Sequence, residues 1–343
     1  MSYRSVHSAV VGAMVSAMLL AATVATATAD PVTEFYKGRT ISLIIASGEG
    51  GGYDISGRLT AEFLSKHIPG HPTIIARNMP GASGMRAADY MYNVAPQDGT
   101  VISIPQPTML LNKVVDSAAR YEPQDFNWIG RLGTLQTFGV AWNTAPAQSV
   151  EQAKQTELVM AAAQGPGTGS NVVMALNRLV GTKFTLVKGY KSVAESSLAM
   201  ERGEVQGISS ASLEVLESKG LISGDKVRFL YVIGIARNPK IPQARTLGEL
   251  ASTDADRAVL DTIASASDIG RSILAPPKVP AERVAALRTA FQELVHDPDF
   301  IRESDRRNAA LEPLAGGVLQ TMVNQSMNLT PEVVERIRRT IRQ

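Results

Sequence analysis

From Thr40 onward, short apolar runs alternate with segments of helical period, and this alternation constrains the fold more than any other feature of the chain. Residues 40–46 read as a strand. Residues 54–67 follow as a helix, with Ile55, Leu59, Phe63 and Leu64 on one face. Residues 73–76 form the next strand, 83–94 a helix, and 101–104 a strand after the Asp98-Gly99 turn. A second series starts near Phe138, with strands at 138–142, 158–163, 184–187, 205–208 and 227–233 and helices at 170–180 and 193–202. The tail from Pro280 is helical, with Pro280-Ala281-Glu282 and Pro331-Glu332 as helix starts. Strands alternating with helices predict parallel βαβ units in an α/β fold.

The chain has 343 residues, 44% hydrophobic and 19% charged, which suffices for two domains. A formal net charge of +2 leaves no strong field to recruit nucleic acid, so no nucleic-acid partner is expected. After Arg4 an apolar stretch covers residues 9–25, and Ala27-Thr28-Ala29 precedes Asp30 as an A-x-A cleavage pattern. Residues 1–29 read as a secretory signal peptide. The alternative, a membrane anchor, is disfavoured by a short run broken by Gly12 and Ser16. Beyond Asp30 there is no apolar run long enough to span a bilayer. Cysteine is absent, so the exported chain has neither disulfides nor a cysteine for a lipid anchor. A Gram-negative periplasm is the expected location, with release into the medium as the alternative.

Two glycine-rich loops sit between a strand and a helix: Gly48-Glu49-Gly50-Gly51-Gly52 and Gly165-Pro166-Gly167-Thr168-Gly169-Ser170-Asn171. Helix starts carry free N–H groups and a partial positive charge of about +0.5, and glycine lets a ligand approach them closely. Two such loops facing one cleft would form an anion clamp. The competing reading is that each is an ordinary strand-to-helix turn that binds nothing. Nucleotide motifs fail: G-x-G-x-x-G would need glycine at Tyr53 or at Ser170, and G-x4-G-K-[ST] is missing. Of four histidines, His7 lies in the signal segment, and Pro69 and Gly70 separate His67 from His71. These two are expected on an exposed helix end and turn, not as a metal pair. Gly81 to Met85 is not G-x-S-x-G, and no cysteine nucleophile exists. No catalytic residue, metal or cofactor is expected. Asp54 reads as a helix cap paired with Arg58 one turn on. Trp128 and Trp142 are the only tryptophans, which disfavours a stacking sugar site.

Several segments, in order, resemble the substrate-binding receptors of tripartite tricarboxylate transporters, the Bug-type solute receptors. Glu49-Gly50-Gly51-Gly52-Tyr53-Asp54 with Arg58 is similar to their PGG-x-x-D-x-x-x-R signature. Residues 78–84 resemble their N-x-P-G-A-x-G turn, 95–100 their A-x-x-DG-T step, 165–171 their second glycine loop, and 275–282 the segment before their C-terminal helices. The resemblance implies a two-lobed periplasmic binding protein of type II-like form, with a ligand cleft between α/β lobes. It implies no enzymatic activity, and delivery of a small organic carboxylate to membrane transporter subunits. A freely diffusing receptor is usually a monomer, which is the expectation here. Lobe one would comprise residues 30–133 and 234–343, and lobe two residues 134–233. Carried over residue by residue, Ser47, Gly50, Gly51 and Gly52 would supply the first loop, and Thr168, Gly169, Ser170 and Asn171 the second. Tyr190 matches the tyrosine of the family's PYKG segment, with Ser192 beside it. Proline is common in the family where Glu49 stands. Like charges at about 4 Å and an effective dielectric near 20 repel by about 4 kcal/mol, so Glu49 is expected to face solvent. Lys191 reads as a solvated lysine, with a place in the cleft as the alternative. Two other functions share these features: a receptor signalling to a sensor kinase, and an exported enzyme acting on a small anionic ester.

Overall fold

The computed structural model describes residues 30–50, 52–163, 168–190, 192–307, 309 and 311–341, and in it the alternation resolves into two sheets. The signal segment read at residues 1–29 lies outside the described residues, as do Gly51, residues 164–167 and Lys191. Helix α1 (Pro31–Tyr36) starts under the carboxylate of Asp30, which accepts the N–H groups of Val32 and Thr33. There follow β1 (Thr40–Ile45), α2 (Gly52–Leu64), β2 (Thr73–Asn78), α3 (Met85–Asn93), β3 (Val101–Ile104), α4 (Met109–Val115) and β4 (Asn127–Gly133). The second series is β5 (Thr137–Trp142), α5 (Val150–Ala153), β6 (Leu158–Ala163), α6 (Thr168–Ala175), β7 (Phe184–Tyr190), α7 (Val193–Glu201), β8 (Gly207–Ser212), α8 (Leu213–Ser218) and β9 (Val227–Ile233). The chain closes with α9 (Asp254–Ile269), β10 (Arg271–Ala275), α10 (Ala281–His296), α11 (Pro298–Arg306), β11 (Leu314–Ala315), α12 (Gly316–Met327) and α13 (Pro331–Ile341).

The first sheet has the order β11-β4-β10-β3-β1-β2 and the second β7-β6-β8-β5-β9. The expected parallel units are present: β1 pairs with β2 and β3, and β6 with β7 and β8. Each sheet also holds antiparallel strands, which the alternation did not reveal. β10 runs against β3 and β4, and β5 runs against β8 and β9. β5 and β9 abut the places where the chain passes from one sheet to the other, while β10 follows α9 and lies antiparallel beside β4. β4 is also hard to read from its letters. Its Gly130 lies against the Phe291 ring of α10, where a Cβ would come within 2.2 Å of Cε1. A gap in the apolar pattern is thus the space that a helix occupies.

Both faces of each sheet are covered. Along β1, Ile41 and Leu43 join a core with Leu59 and Phe291, while Ile44 joins Met91, Trp128 and Leu319 on the other face. In the second sheet Met160 and Tyr231 pack with Val172 and Leu176 of the α6 segment, and Val140 and Ile208 with Met200 and Leu216. Fully burying such aliphatic side chains contributes about 1.5–3 kcal/mol each. The last helix, α13, inserts Ile337 into the Val172 and Leu176 core, although the elements before it belong to the first sheet. On its other side Arg338 holds it to the first sheet's elements, donating to the Val114 carbonyl of α4 (2.9 Å). His67 also departs from the exposed position expected of it. It is half-buried, with Nε2 3.1 Å from Asp297 Oδ2, and ties the end of α2 to the α10–α11 turn.

Residues 134–136 and 234–236 carry the chain between the sheets, and both strands of this passage are pinned to α9. Leu135 N–H donates to the Ser267 carbonyl (2.9 Å), and Ile235 N–H to Asp268 Oδ2 (2.7 Å). Gln136 Nε2 donates to the Ala236 carbonyl (3.0 Å), linking the two crossings. Arg131, buried in β4, donates Nη1 to the Asp268 carbonyl (2.6 Å) and Nε to the Glu312 carbonyl (3.3 Å). Gly270 adopts φ +55°, and a Cβ there would stand 2.1 Å from the Gly133 carbonyl oxygen.

Burial pushes the Asp268 carboxyl up to about 6, against the Ile235 N–H and the Arg131 charge, with Glu312 adding repulsion. A carboxyl raised in the folded state stabilises the fold below its unfolded value of about 4, and that stability is lost as pH rises through the folded value. Over this window Asp268 alone should remove up to about 3 kcal/mol. Asp268→Asn keeps an acceptor for Ile235 N–H and should flatten this part of the profile. Denaturant unfolding of both proteins across about pH 4 to 8 measures the difference; parallel profiles would show that Asp268 titrates as an ordinary carboxylate.

Candidate functional site

A cleft of about 650 Å³ lies between the two sheets, with the first crossing among its walls. Tyr53, Gln106, Thr108 and Arg271 line it from the first sheet's elements, and Thr168, Ser210 and Ser212 from the second's. Thr134 to Phe138 bridge the two sides. Such a volume suits a small organic molecule.

The first glycine loop is organised by one carboxylate. Asp54, buried in the first turn of α2, accepts the Gly50 N–H (2.9 Å), Arg58 Nε (3.0 Å) and Asn78 Nδ2 (2.9 Å). Burial alone would raise this carboxyl, but the hydrogen bonds from Arg58, Gly50 and Asn78 outweigh it and hold it below the usual carboxylate range. Asn78 also donates to the Ser47 carbonyl (3.1 Å), and Arg58 Nη2 donates to Asn78 Oδ1 (2.9 Å). The pairing with Arg58 is as the sequence suggested, but Asp54 is not the helix cap: it lies inside the first turn of α2 and accepts the N–H of Gly50, ahead of the helix, which folds the loop back on α2. Gly50 has φ +79°, which explains glycine there, but its N–H is turned to Asp54 and not to the cleft. Ser47 Oγ donates to the Gly48 carbonyl (3.3 Å). Glu49 is exposed, as expected, and its charge acts on Arg58. Gly52 opens α2 beside Arg271, where a Cβ would stand 2.9 Å from Nη2.

In the second loop, Thr168 lines the cleft at the first turn of α6. Gly169 and Ser170 follow against β8. A Cβ on Gly169 would meet Ser209 Oγ at 2.5 Å, so that glycine allows helix and strand to touch. Ser170 is buried and Asn171 half-buried. Tyr190 and Ser192 stand apart from the cleft lining. Tyr190 ends β7 and packs beside the Met200 core, where burial raises its phenol pKa. Ser192 caps α7 by accepting the Glu195 N–H (3.2 Å). The first-loop residues Ser47, Gly50 and Gly52 likewise lie outside the lining, whereas their neighbour Tyr53 is part of it. Burial raises the Tyr53 phenol, with Arg271 acting the other way, so it stays neutral as a donor.

Sequence reasoning missed Arg271. It opens β10, a five-residue strand that carries no alternation to announce it. Only the tertiary fold brings it 2.9 Å from the place a Gly52 Cβ would take. The hydroxyls of Thr134, Thr137 and Ser210 were missed too: Thr134 lies in the first crossing, Thr137 opens β5, and Ser210 stands on the paired strand β8. Thr137 Oγ1 and Ser210 Oγ lie 2.8 Å apart.

Residues 57–343 match the tripartite tricarboxylate transporter family receptor, TctC. The chain belongs to that family. It is thus a TctC-family solute-binding receptor, as its motifs suggested, and the first glycine loop lies just ahead of the matched residues. This receptor is 28% identical over 305 residues to a Cupriavidus necator protein named UPF0065 protein in gbd 5'region, over 86% of this chain and 84% of that one. Its fold is that of a TctC solute-binding protein from Polaromonas, at 22% identity and TM-score 0.69, covering 88% of this chain and 99% of that one. It also matches MatC from Rhodopseudomonas palustris with bound malate, at 21% identity and TM-score 0.56 over 89% of this chain and 99% of that one. A further R. palustris protein, solved with adipate, matches at 22% identity and TM-score 0.57 over 88% of this chain and 97% of that one.

Removing the Asp54 carboxylate leaves the Gly50 N–H and the Asn78 amide without their acceptor. Asp54→Ala should destabilise this receptor by about 1–3 kcal/mol or more, since the lost partner is charged. Asp54→Asn, which keeps one acceptor oxygen, should cost less. Urea unfolding gives both numbers, and equal stability of Asp54→Ala and the wild type would refute the role of Asp54.

Proposed function

We propose that this receptor works in the periplasm, captures a small organic carboxylate in the inter-sheet cleft, and delivers it to the membrane subunits of a tripartite tricarboxylate-type transporter. The observation that carries this reading is the cleft itself. It is about 650 Å³, is lined from both sheets by hydroxyl groups and one arginine, and belongs to a member of this receptor family. The relatives with malate and adipate support a carboxylate ligand. Thr168 at the start of α6 adds hydroxyl and backbone donors to an acid group. Gly50, Gly51, Gly52 and Ser47 would act by shaping the first wall, and Gly169, Ser170 and Asn171 by seating α6. Tyr190 and Ser192 would reach a ligand only after the lobes move.

Lobe one is residues 30–133 with 234–343 and lobe two is residues 134–233, with α13 packed on both α4 and the second lobe's core. The two crossings serve as the hinge, and closure around the acid presents a distinct shape to the transporter. Export by the segment 1–29, action as a monomer and absence of turnover complete the proposal.

A thermal-shift screen of residues 30–343 tests it, with straight-chain dicarboxylates, malate, aromatic acids, amino acids, phosphate and sugars. A ligand at about one hundred times its dissociation constant adds about 2.7 kcal/mol, a shift of several degrees. Shifts confined to carboxylates, with the ligand recovered unchanged, are expected. Shifts from sugars or amines with none from acids would overturn the reading.

A further inference from the structure

We infer that Arg271 is the specificity-determining residue of the cleft: its guanidinium meets the carboxylate of the ligand directly. The ligand class is then a carboxylic acid borne on a partly apolar body. This rests on the cleft being the ligand site.

Arg271 follows Gly270 at the start of β10, and its backbone pairs with Gly133 at the end of β4. That pairing fixes its Cα where the chain begins to cross between the sheets. The side chain is half-buried and lines the cleft. Its Nε is buried without a hydrogen-bond partner, and none of the ion pairs among the described residues involves it. Because Nε is enclosed, a group arriving in the cleft meets the Nη groups of the guanidinium, and a charged donor set with no acidic partner in the protein favours an anionic one.

The acids of the lining leave the guanidinium unpaired. Glu214 and Glu312 also line the cleft, but both are exposed, and Glu312 Oε2 accepts from Thr134 Oγ1 (2.6 Å). Neither neutralises the guanidinium. Lys240 is exposed as well, which leaves Arg271 as the less solvated of the two cations in the lining. Gly52 makes room for Nη2, and the neutral phenol of Tyr53 lines the same cleft without offering a counter-charge. A planar guanidinium presents paired donors that match the two oxygens of a carboxylate. Leu135, Phe138, Leu213 and Pro239 supply apolar wall nearby, which suits the carbon body of the acid.

The test compares acids with their amides, because a merely structural arginine would treat both alike. Adipate against adipamide and benzoate against benzamide are titrated calorimetrically into the wild type, Arg271→Gln and Arg271→Lys. The wild type should prefer acid to amide. Arg271→Gln should lose about a hundredfold in acid affinity with amide affinity changed only a few-fold, and Arg271→Lys should fall between. Acid affinity in Arg271→Gln within threefold of the wild type would overturn the role of Arg271 and leave the cleft reading standing. Equal losses for acid and amide would do the same. If the wild type binds sugars or amines but no acid, both readings fail together. Gly52→Ala supplies the second variant should Arg271→Gln not fold. It displaces Nη2 at a helix position where alanine is favoured, so it should keep the melting temperature and lower acid affinity about tenfold more than amide affinity. A common loss for acid and amide in Gly52→Ala would again overturn the inference.

Discussion

The buried contact between Arg131 and Asp268 joins the pieces of chain on which the cleft depends. Arg131 belongs to β4, Asp268 to the end of α9, and through them the second crossing and the segment before β11 are held in one place. The guanidinium donates to two main-chain carbonyls, while the carboxylate is spent on a backbone N–H. Each group therefore satisfies chain rather than merely its opposite charge, which makes such a pair worth keeping when desolvation is costly. The cleft opens directly beside this node. Ser267, Arg271 and Glu312, which line it, are its immediate neighbours in sequence or in contact.

A division of charge follows. The acidic residue written into the glycine loop, Glu49, is outside and exposed, near Arg58. Asp54 is inside but neutralised by Arg58 and consumed by the loop's own donors. The carboxylates of the first loop thus do not oppose an anionic ligand, while Arg271 comes from a distant strand to face the space between the sheets. The glycines have separate reasons. Gly50 turns the chain, Gly52 leaves room for Arg271, and Gly169 lets α6 touch β8.

The motifs that carried the family resemblance turn out to be locks on the scaffold. Asn78 of the N-x-P-G turn bridges Ser47 and Asp54. Asp98 of the A-x-x-DG-T step accepts both the N–H and hydroxyl of Thr100 (2.9 and 2.6 Å), and Gly99 receives the Tyr36 hydroxyl on its carbonyl (3.2 Å). In the turn after Asn78, Ala82 and Ser83 hold left-handed backbone, with φ +47° and +50°, and Thr108 and Asn112 donate to the Ser83 carbonyl. Fold and family were legible from such residues because their partners are local or sit in the next βαβ unit. The lining was mostly illegible. Of the residues expected to contact a ligand, Thr168 reaches the cleft wall, while Tyr190 packs on its own lobe and Ser192 caps a helix.

By itself, the sequence determined the βαβ alternation, the pairing of Asp54 with Arg58 and the placement of two glycine loops between strand and helix. Each is fixed by periodicity or by contacts a few residues apart, which a linear reading can follow. The tertiary structure alone decided the antiparallel strands at the crossings, the return of α13 to the second sheet's core, and the arrival of Arg271 beside Gly52. Those depend on where the chain passes between two sheets. That passage brings together residues more than two hundred positions apart, and no local pattern of side chains encodes such a meeting.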